Sequence, residues 1–316
     1  MFHSLKLAAL AAALALGLAS PASAADKLTV MLDWFINPDH APLYVALERG
    51  YFRDQNLDVE FIAPSDPNDP PKLVAAGRAD IAISYQPQLH LQVAEGLPLR
   101  RIGTLVGTPL NSLVVLRDGP IKSIADLKGK KVGFSVGGFE DALLRQMLGK
   151  HGLKIEDISL VNVNFTLSPA LVSGQVDAVI GAFRNFELNQ LDILGKPGRA
   201  FYVEEEGVPA YDELIFVANA NKLADPRLPR FLAAVEQGAQ YLVNHPAESW
   251  ELFIKGRKDL NDELNKRAFR DTLPRFSLQP AGLDNARYAR FARFLVDQGL
   301  IKQALPVEAY AVQLAQ

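Results

Sequence analysis

The feature that most restricts how this chain folds is an internal repeat. Residues 28–85 run strand, helix, strand, helix, strand: LTVMLDWF, APLYVALERG, LDVEFIAP, PKLVAAG and RADIAISY. Residues 131–183 repeat the order with KVGFSV, EDALLRQMLGKHG, ISLVNVNF, SPALVSG and QVDAVIGAF. The clearest echo is Gly-x-x-Asp followed by an apolar strand, at Gly77 to Asp80 and again at Gly174 to Asp177. Glycines also close the first helix of each copy, at Gly50 and Gly152, where the left-handed conformation past a helix end suits them. The first copy is longer between its two glycines, and residues 64–71 (PSDPNDPP) are the place for the excess. Alternating strands and helices imply a parallel sheet with right-handed crossovers. A single larger doubly wound domain would also alternate in this way. Repetition of the whole order favours two lobes. Two apolar runs, residues 112–117 and 213–218, flank the second copy and are expected to be hinge strands by which the chain leaves the first lobe and returns to it. Helical spacing resumes from Leu228 to Asn244, from Ala247 to Ile254 and from Leu283 to Gln298, with Trp250, Phe291 and Phe294 as core contacts.

Composition narrows the function. Of 316 residues, 49% are hydrophobic and 22% charged, enough apolar material for a core. A net charge of −3 lacks the basic excess of a dedicated nucleic-acid binder. There is no cysteine, which removes disulfides, thiolate metal sites, cysteine nucleophiles and a lipidated N-terminal cysteine. Lys6, an apolar run over residues 7–19 and Ala22-Ser23-Ala24 read as a signal peptide cut near Ala24. A membrane anchor is the alternative, for which that run is short. The expected organisation is therefore a signal peptide at 1–24, a first lobe at 25–113 plus 217–316, and a second lobe at 114–216. The expected compartment is the periplasm.

In open α/β sheets, ligands bind beyond the carboxyl ends of the strands. Those ends gather Trp34, Phe35, Tyr85 and Phe183; the amides Asn37, Gln86 and Asn164; the acids Asp33, Glu140 and Glu187; and His40. Aromatic rings with a few hydrogen-bonding groups suit a flat polar heterocycle. Glu140 bears on ligand charge. It starts the helix after Gly137-Gly138, where a bare N-terminus would attract an anion; a carboxylate there repels one and favours an amino-bearing ligand. It would equally serve as a first-turn acid that stabilises the helix. Gly133-Phe134-Ser135-Val136-Gly137 matches the G-x-S-x-G elbow of hydrolases. Only His151 and His245 follow it, neither in a loop after a late strand, so no triad is expected. No paired histidine spacing, P-loop or G-x-G-x-x-G appears. The reading therefore assigns no catalytic residue, metal or cofactor.

Residues 32–46, LDWFINPDHAPLYVA, resemble the opening signature of the NMT1/THI-type binding-protein family. Gly50-Tyr51-Phe52, Pro64 to Pro67, Gly77 to Asp80, Leu127 to Gly133 and Gly138 to Asp141 fit it as well. The resemblance covers residues 28–220 and implies an α/β, two-lobed type II periplasmic binding protein fold with two hinge strands. It implies a thiamine-precursor aminopyrimidine as ligand, an ABC permease in the inner membrane as partner, and action as a monomer. Riboflavin, another heterocycle or an alkylsulfonate are the alternative ligands. On the positions that match, the resemblance suggests that Trp34, Asn37, His40, Tyr85, Glu140, Asn164 and Glu187 line the site, with Phe183 beside them. Fungal relatives of this fold are pyrimidine-forming enzymes with a lysine after the third strand and a cysteine cluster. Here that strand ends at Ser84, and a Schiff base has no anchor. Two positions depart from the pattern: Ile36 stands for a proline, and Phe183-Arg184 stands for Tyr-Trp, which would bring a cation to the pocket.

Overall fold

A computed structural model describes residues 24–314. The expected signal peptide, apart from its last residue, lies outside the described residues. Two five-stranded sheets follow one plan. In the first, β1 (Asp26–Met31) lies between β2 (Leu57–Ile62) and β3 (Ile81–Ser84), parallel to both; β10 (Leu214–Asn219) and then β4 (Leu99–Val106) complete the order β2-β1-β3-β10-β4. In the second, β6 (Lys131–Phe134) lies between β7 (Ser159–Asn162) and β8 (Ala178–Phe183), and β5 (Asn111–Leu116) and β9 (Gly198–Tyr202) complete β7-β6-β8-β5-β9.

The repeated aspartate explains why both copies fold alike. Asp80 Oδ2 accepts from Thr29 N on β1 at 2.9 Å, and Asp177 Oδ2 accepts from Lys131 N on β6 at 2.8 Å. Each carboxylate ties the turn before the third strand to the start of the first, fixing their register. The four glycines expected at helix ends all have φ between 71° and 79°, the left-handed region.

The fourth position of each sheet is an antiparallel strand that has just arrived from the other lobe: β5 pairs with β8 and β9, β10 with β3 and β4. This corrects the expected boundaries. Residues 111–116 lie wholly in the second sheet and 214–219 wholly in the first, so the chain crosses at 107–110 and 203–213, a few residues before each expected cut. The two apolar runs are strands of the lobes they enter, and the crossing segments precede them. Glu213, fully buried, joins the crossings: its Oε2 accepts from Leu110 N (2.6 Å), Asn111 N (2.9 Å) and the Tyr211 hydroxyl (3.1 Å).

The first lobe carries α1 (Ala41–Arg49), α2 (Tyr51–Asp54), α3 (Pro70–Ala75) and α4 (Gln86–Ala94); the second carries α5 (Phe139–Lys150), α6 (Leu167–Val172) and α7 (Glu187–Ile193). Four C-terminal helices follow: α8 (Arg227–Asn244), α9 (Pro246–Ile254), α10 (Glu263–Thr272) and α11 (Asn285–Asp297). α8 buries Phe231, Leu232, Val235, Ala239 and Leu242. Phe231 stacks on Phe52 at 5.5 Å, and Gly238 lets α8 approach the Pro42 carbonyl on α1. Phe291 and Phe294 are buried, while Trp250 is half-buried and packs edge-on against Phe269. The reading had no α10, because ELNKRAFRDT offers few apolar residues; Asp262 caps it by accepting from Asn265 N. Among the described residues no helix is long and apolar enough to cross a membrane.

Removing either repeated carboxylate should loosen its lobe. Asp177→Ala should lower unfolding free energy by about 1 kcal/mol in urea titrations. Asp80→Ala should cost more, because Asp80 also pairs with Arg227 at 2.9 Å. Equal effects would show that the ion pair adds nothing.

Candidate ligand-binding site

The strand ends converge on a cavity between the lobes. The first lobe supplies Asp33, Trp34, Asn37, Asp39 and Tyr85; the second supplies Ser135, Val136, Glu140, Leu167, Gly181, Phe183, Phe186 and Glu187. Among these there are four carboxyl groups and no lysine or arginine.

On the first lobe, residues 33–40 wind into a turn that buries its own polar groups. Asn37 caps a short 3-10 turn, its Oδ1 accepting from Asp39 N at 2.8 Å and its Nδ2 donating to the Phe35 carbonyl. His40 is fully buried and does not reach the cavity. Its Nδ1 accepts from Asn37 N at 3.3 Å, so the ring proton lies on Nε2 and is donated to Asp33 Oδ1 at 2.9 Å. The Tyr85 hydroxyl donates to the other Asp33 oxygen, also at 2.9 Å. Asp33 is thus held from both sides by a histidine behind it and a tyrosine beside it. Burial and the Asp33 charge push the Tyr85 hydroxyl well above its usual range, so it stays a donor.

On the second lobe, Glu140 opens α5 with its carboxyl turned back over the preceding turn. Oε2 accepts from Ser135 N at 2.8 Å. Gly181 lies against this carboxyl on β8. A Cβ there would stand 2.4 Å from Glu140 Oε1, and its φ is +94°, so only glycine fits. Burial raises Glu140 from 4.5 to about 8, against the pull of the Ser135 and Val136 amides. Glu187 repeats the arrangement at the start of α7: Oε2 accepts from Phe183 N at 2.7 Å, and burial raises it to about 8. Both carboxyls therefore favour the neutral form at neutral pH.

Aromatic rings of the two lobes meet beside the cavity. Trp34 meets Phe165 edge-on at 4.5 Å and Phe35 meets Phe186 at 5.9 Å, each pair drawn from both lobes. Tyr85 stacks on Phe139 across the cleft at 4.8 Å. The proline-rich loop also crosses: Asn68 Oδ1 accepts from Gly137 N at 3.0 Å.

A family model described as "NMT1/THI5 like" matches residues 37–249. The chain belongs to the NMT1/THI5-like family. This NMT1/THI5-like chain is 55% identical over 295 residues (93% of it and 94% of the relative) to a Haemophilus influenzae protein named for thiamine biosynthesis. It is 34% identical over 257 residues (81% and 78%) to the formylaminopyrimidine-binding protein of Halalkalibacterium halodurans. A 4-amino-5-hydroxymethyl-2-methylpyrimidine phosphate synthase of Aspergillus parasiticus is 26% identical over 288 residues (85% and 83%). Among solved structures, the alkanesulfonate-binding protein SsuA of Xanthomonas axonopodis pv. citri, bound to MOPS, superposes with a TM-score of 0.72 at 17% identity (92% and 99%). The fold is that of the two-lobed α/β periplasmic binding proteins.

Of the residues expected at the site, the structure brings Trp34, Asn37, Tyr85, Glu140, Phe183 and Glu187 to the cavity wall of the NMT1/THI5-like chain. Two are elsewhere. His40 stands behind Asp33, and Asn164 lies exposed with φ +50°, its carbonyl accepting from the Ser135 hydroxyl. The expected cation at 184 does not enter the cavity either. Arg184 is clamped by Glu204 at 2.6 and 2.8 Å and lies over the Tyr202 ring at 4.1 Å. Asp39 was missed as a wall residue, because only the cap at Asn37 turns it inward.

The raised carboxyls set the pH dependence of the empty protein. A folded value above the unfolded one stabilises fully below the unfolded pKa, and that contribution is lost as pH rises through the folded value. For Glu140 and Glu187 the loss spans about pH 4.5 to 8. The ligand-free protein should therefore melt progressively lower across this range, and Glu140→Gln should flatten the decline. A variant with the wild-type pH slope would contradict the burial of a protonated Glu140. Gly181→Ala should displace the carboxyl and reduce ligand affinity at least tenfold in calorimetry, with the fold retained by circular dichroism.

Proposed function

We propose that this protein is the periplasmic solute-binding component of an ABC importer, and that its ligand is a thiamine-precursor aminopyrimidine of the hydroxymethylpyrimidine or formylaminopyrimidine type. The observation that carries this reading is the buried, amide-anchored Glu140 carboxyl in an aromatic cleft without a cation. A 4-aminopyrimidine places an amino donor beside a ring-nitrogen acceptor. A neutral carboxyl accepts from the first and donates to the second. Trp34, Phe183 and Phe186 offer faces and edges for the flat ring. The formylaminopyrimidine-binding relative supports the same ligand class. An alkylsulfonate, by contrast, would meet four carboxyls and no positive side chain. Binding shifts the population toward closed lobes, because the wall is completed only when both lobes touch the ligand.

The synthase-like relatives make an enzyme the second reading. Against it, β3 ends at Ser84, whose hydroxyl donates to Gln88 at 3.0 Å, at the position where the resemblance puts the enzymes' lysine. A pyridoxal phosphate absorbance band on the purified protein would favour the enzyme.

A thermal-shift screen decides the ligand class. Formylaminopyrimidine or hydroxymethylpyrimidine should raise Tm, with a stabilisation of about 2.7 kcal/mol at a hundredfold excess over Kd. Riboflavin and ethanesulfonate should not. Glu140→Leu, which removes both the acceptor and the donor, should weaken the aminopyrimidine at least tenfold. A shift with ethanesulfonate alone would overturn the proposal.

A further inference from the structure

We propose that Asp39 is a second specificity-determining carboxyl, reading an N–H or O–H donor of the ligand away from the one that faces Glu140, and that Asn185 and Thr272 position it for this across the closed cleft. The inference rests on the aminopyrimidine reading above and adds the residue that distinguishes among such ligands.

Asp39 lines the cavity and is 2% exposed. Its Oδ1 accepts from Asn185 Nδ2 on the second lobe at 2.5 Å and from the Thr272 hydroxyl at the end of α10 at 2.9 Å. Asn185 Nδ2 also donates to the Thr272 hydroxyl at 2.7 Å; the single proton of that hydroxyl is shared between Asp39 Oδ1 and the Ala268 carbonyl. Two buried side chains from distant parts of the sequence thus converge on one oxygen of Asp39. The other oxygen, Oδ2, receives no bond from any described residue, yet it belongs to a wall residue of the cavity. Asp39 therefore offers the ligand an acceptor whose direction is fixed by its partner oxygen.

Asn185 shows that the arrangement is not casual. It is 1% exposed, and its carbonyl oxygen has no partner among the described residues. An unsatisfied buried carbonyl is a net cost. The amide is kept for the two bonds that its nitrogen makes, and those exist only while residue 185 of the second lobe reaches residues 39 and 272 of the first. Opening the cleft leaves Asp39 with Thr272 as its one donor, and closing it adds Asn185 and so aims Oδ2. Ligand reading and closure become one event.

The specificity test uses two probes. Formylaminopyrimidine carries a ring amino group and a second N–H on its side arm; 4-amino-2,5-dimethylpyrimidine lacks the second donor. The wild type should prefer the former at least tenfold by calorimetry. Asp39→Asn presents a donor where an acceptor stood, and Asn185→Leu releases the carboxyl. Each should reduce the preference to threefold or less with the fold intact by circular dichroism, an effect that a merely structural residue would not produce. An unchanged preference in both variants overturns the inference. If the wild type binds neither probe, the functional reading fails separately. The clasp is then judged from spin labels at Lys72→Cys and Lys154→Cys in the otherwise cysteine-free protein. Asn185→Leu should lower the closed population of the free protein, and unchanged distances would reject the clasp.

Discussion

A carboxyl group taken out of water at the start of α5 governs the rest of the site. Among the described residues Glu140 has no cation to pair with, so it relies on backbone amides and on a proton. That requirement explains the tight 135–140 turn, whose Ser135 N faces the carboxyl, and it explains why β8 carries glycine at 181. The same turn receives the side chain of Asn68 from the other lobe and anchors its own Ser135 hydroxyl on Asn164. The neutral ring proposed as ligand, with donors and acceptors side by side, would find its complement in such a cleft.

The duplicated fold makes such a cleft by construction. Each copy ends its parallel strands toward the same gap, and each sheet is completed by a strand delivered from the other lobe. The crossings share Glu213, which accepts the last amide of one crossing, the first amide of the strand that follows it and a hydroxyl of the other crossing. Two segments thus join the lobes, and the ends of the two sheets carry Asp33 and Glu140. The carboxyl that joins the crossings is itself raised to about 7 by burial, so the hinge, like the cleft, is built around groups that favour their protonated form below neutral pH.

Much of this was legible in the chain because local chemistry dictated it. The Gly-x-x-Asp repeat reported the two lobes, since the aspartate serves the same backbone amide in each. Trp34, Tyr85, Glu140 and Glu187 were legible because strand ends and helix starts face the gap. The misplacements share a cause: side-chain direction in irregular turns. One cap at Asn37 turns Asp39 inward and His40 away, and a left-handed residue at Asn164 points the chain outward. Arg184 was misjudged because its carboxylate partner, Glu204, lies twenty residues on in a crossing segment. α10 was hidden by its polarity, and with it the hydroxyl of Thr272.

The most direct test of the central claim is to purify the protein gently from its own cells, denature it and weigh what it releases. The account predicts a non-covalently held nitrogen heterocycle bearing an amino group, absent from Glu140→Leu protein prepared in the same way. Release of a sulfonate or another organic anion, or a pyridoxal phosphate adduct on the chain, would contradict it.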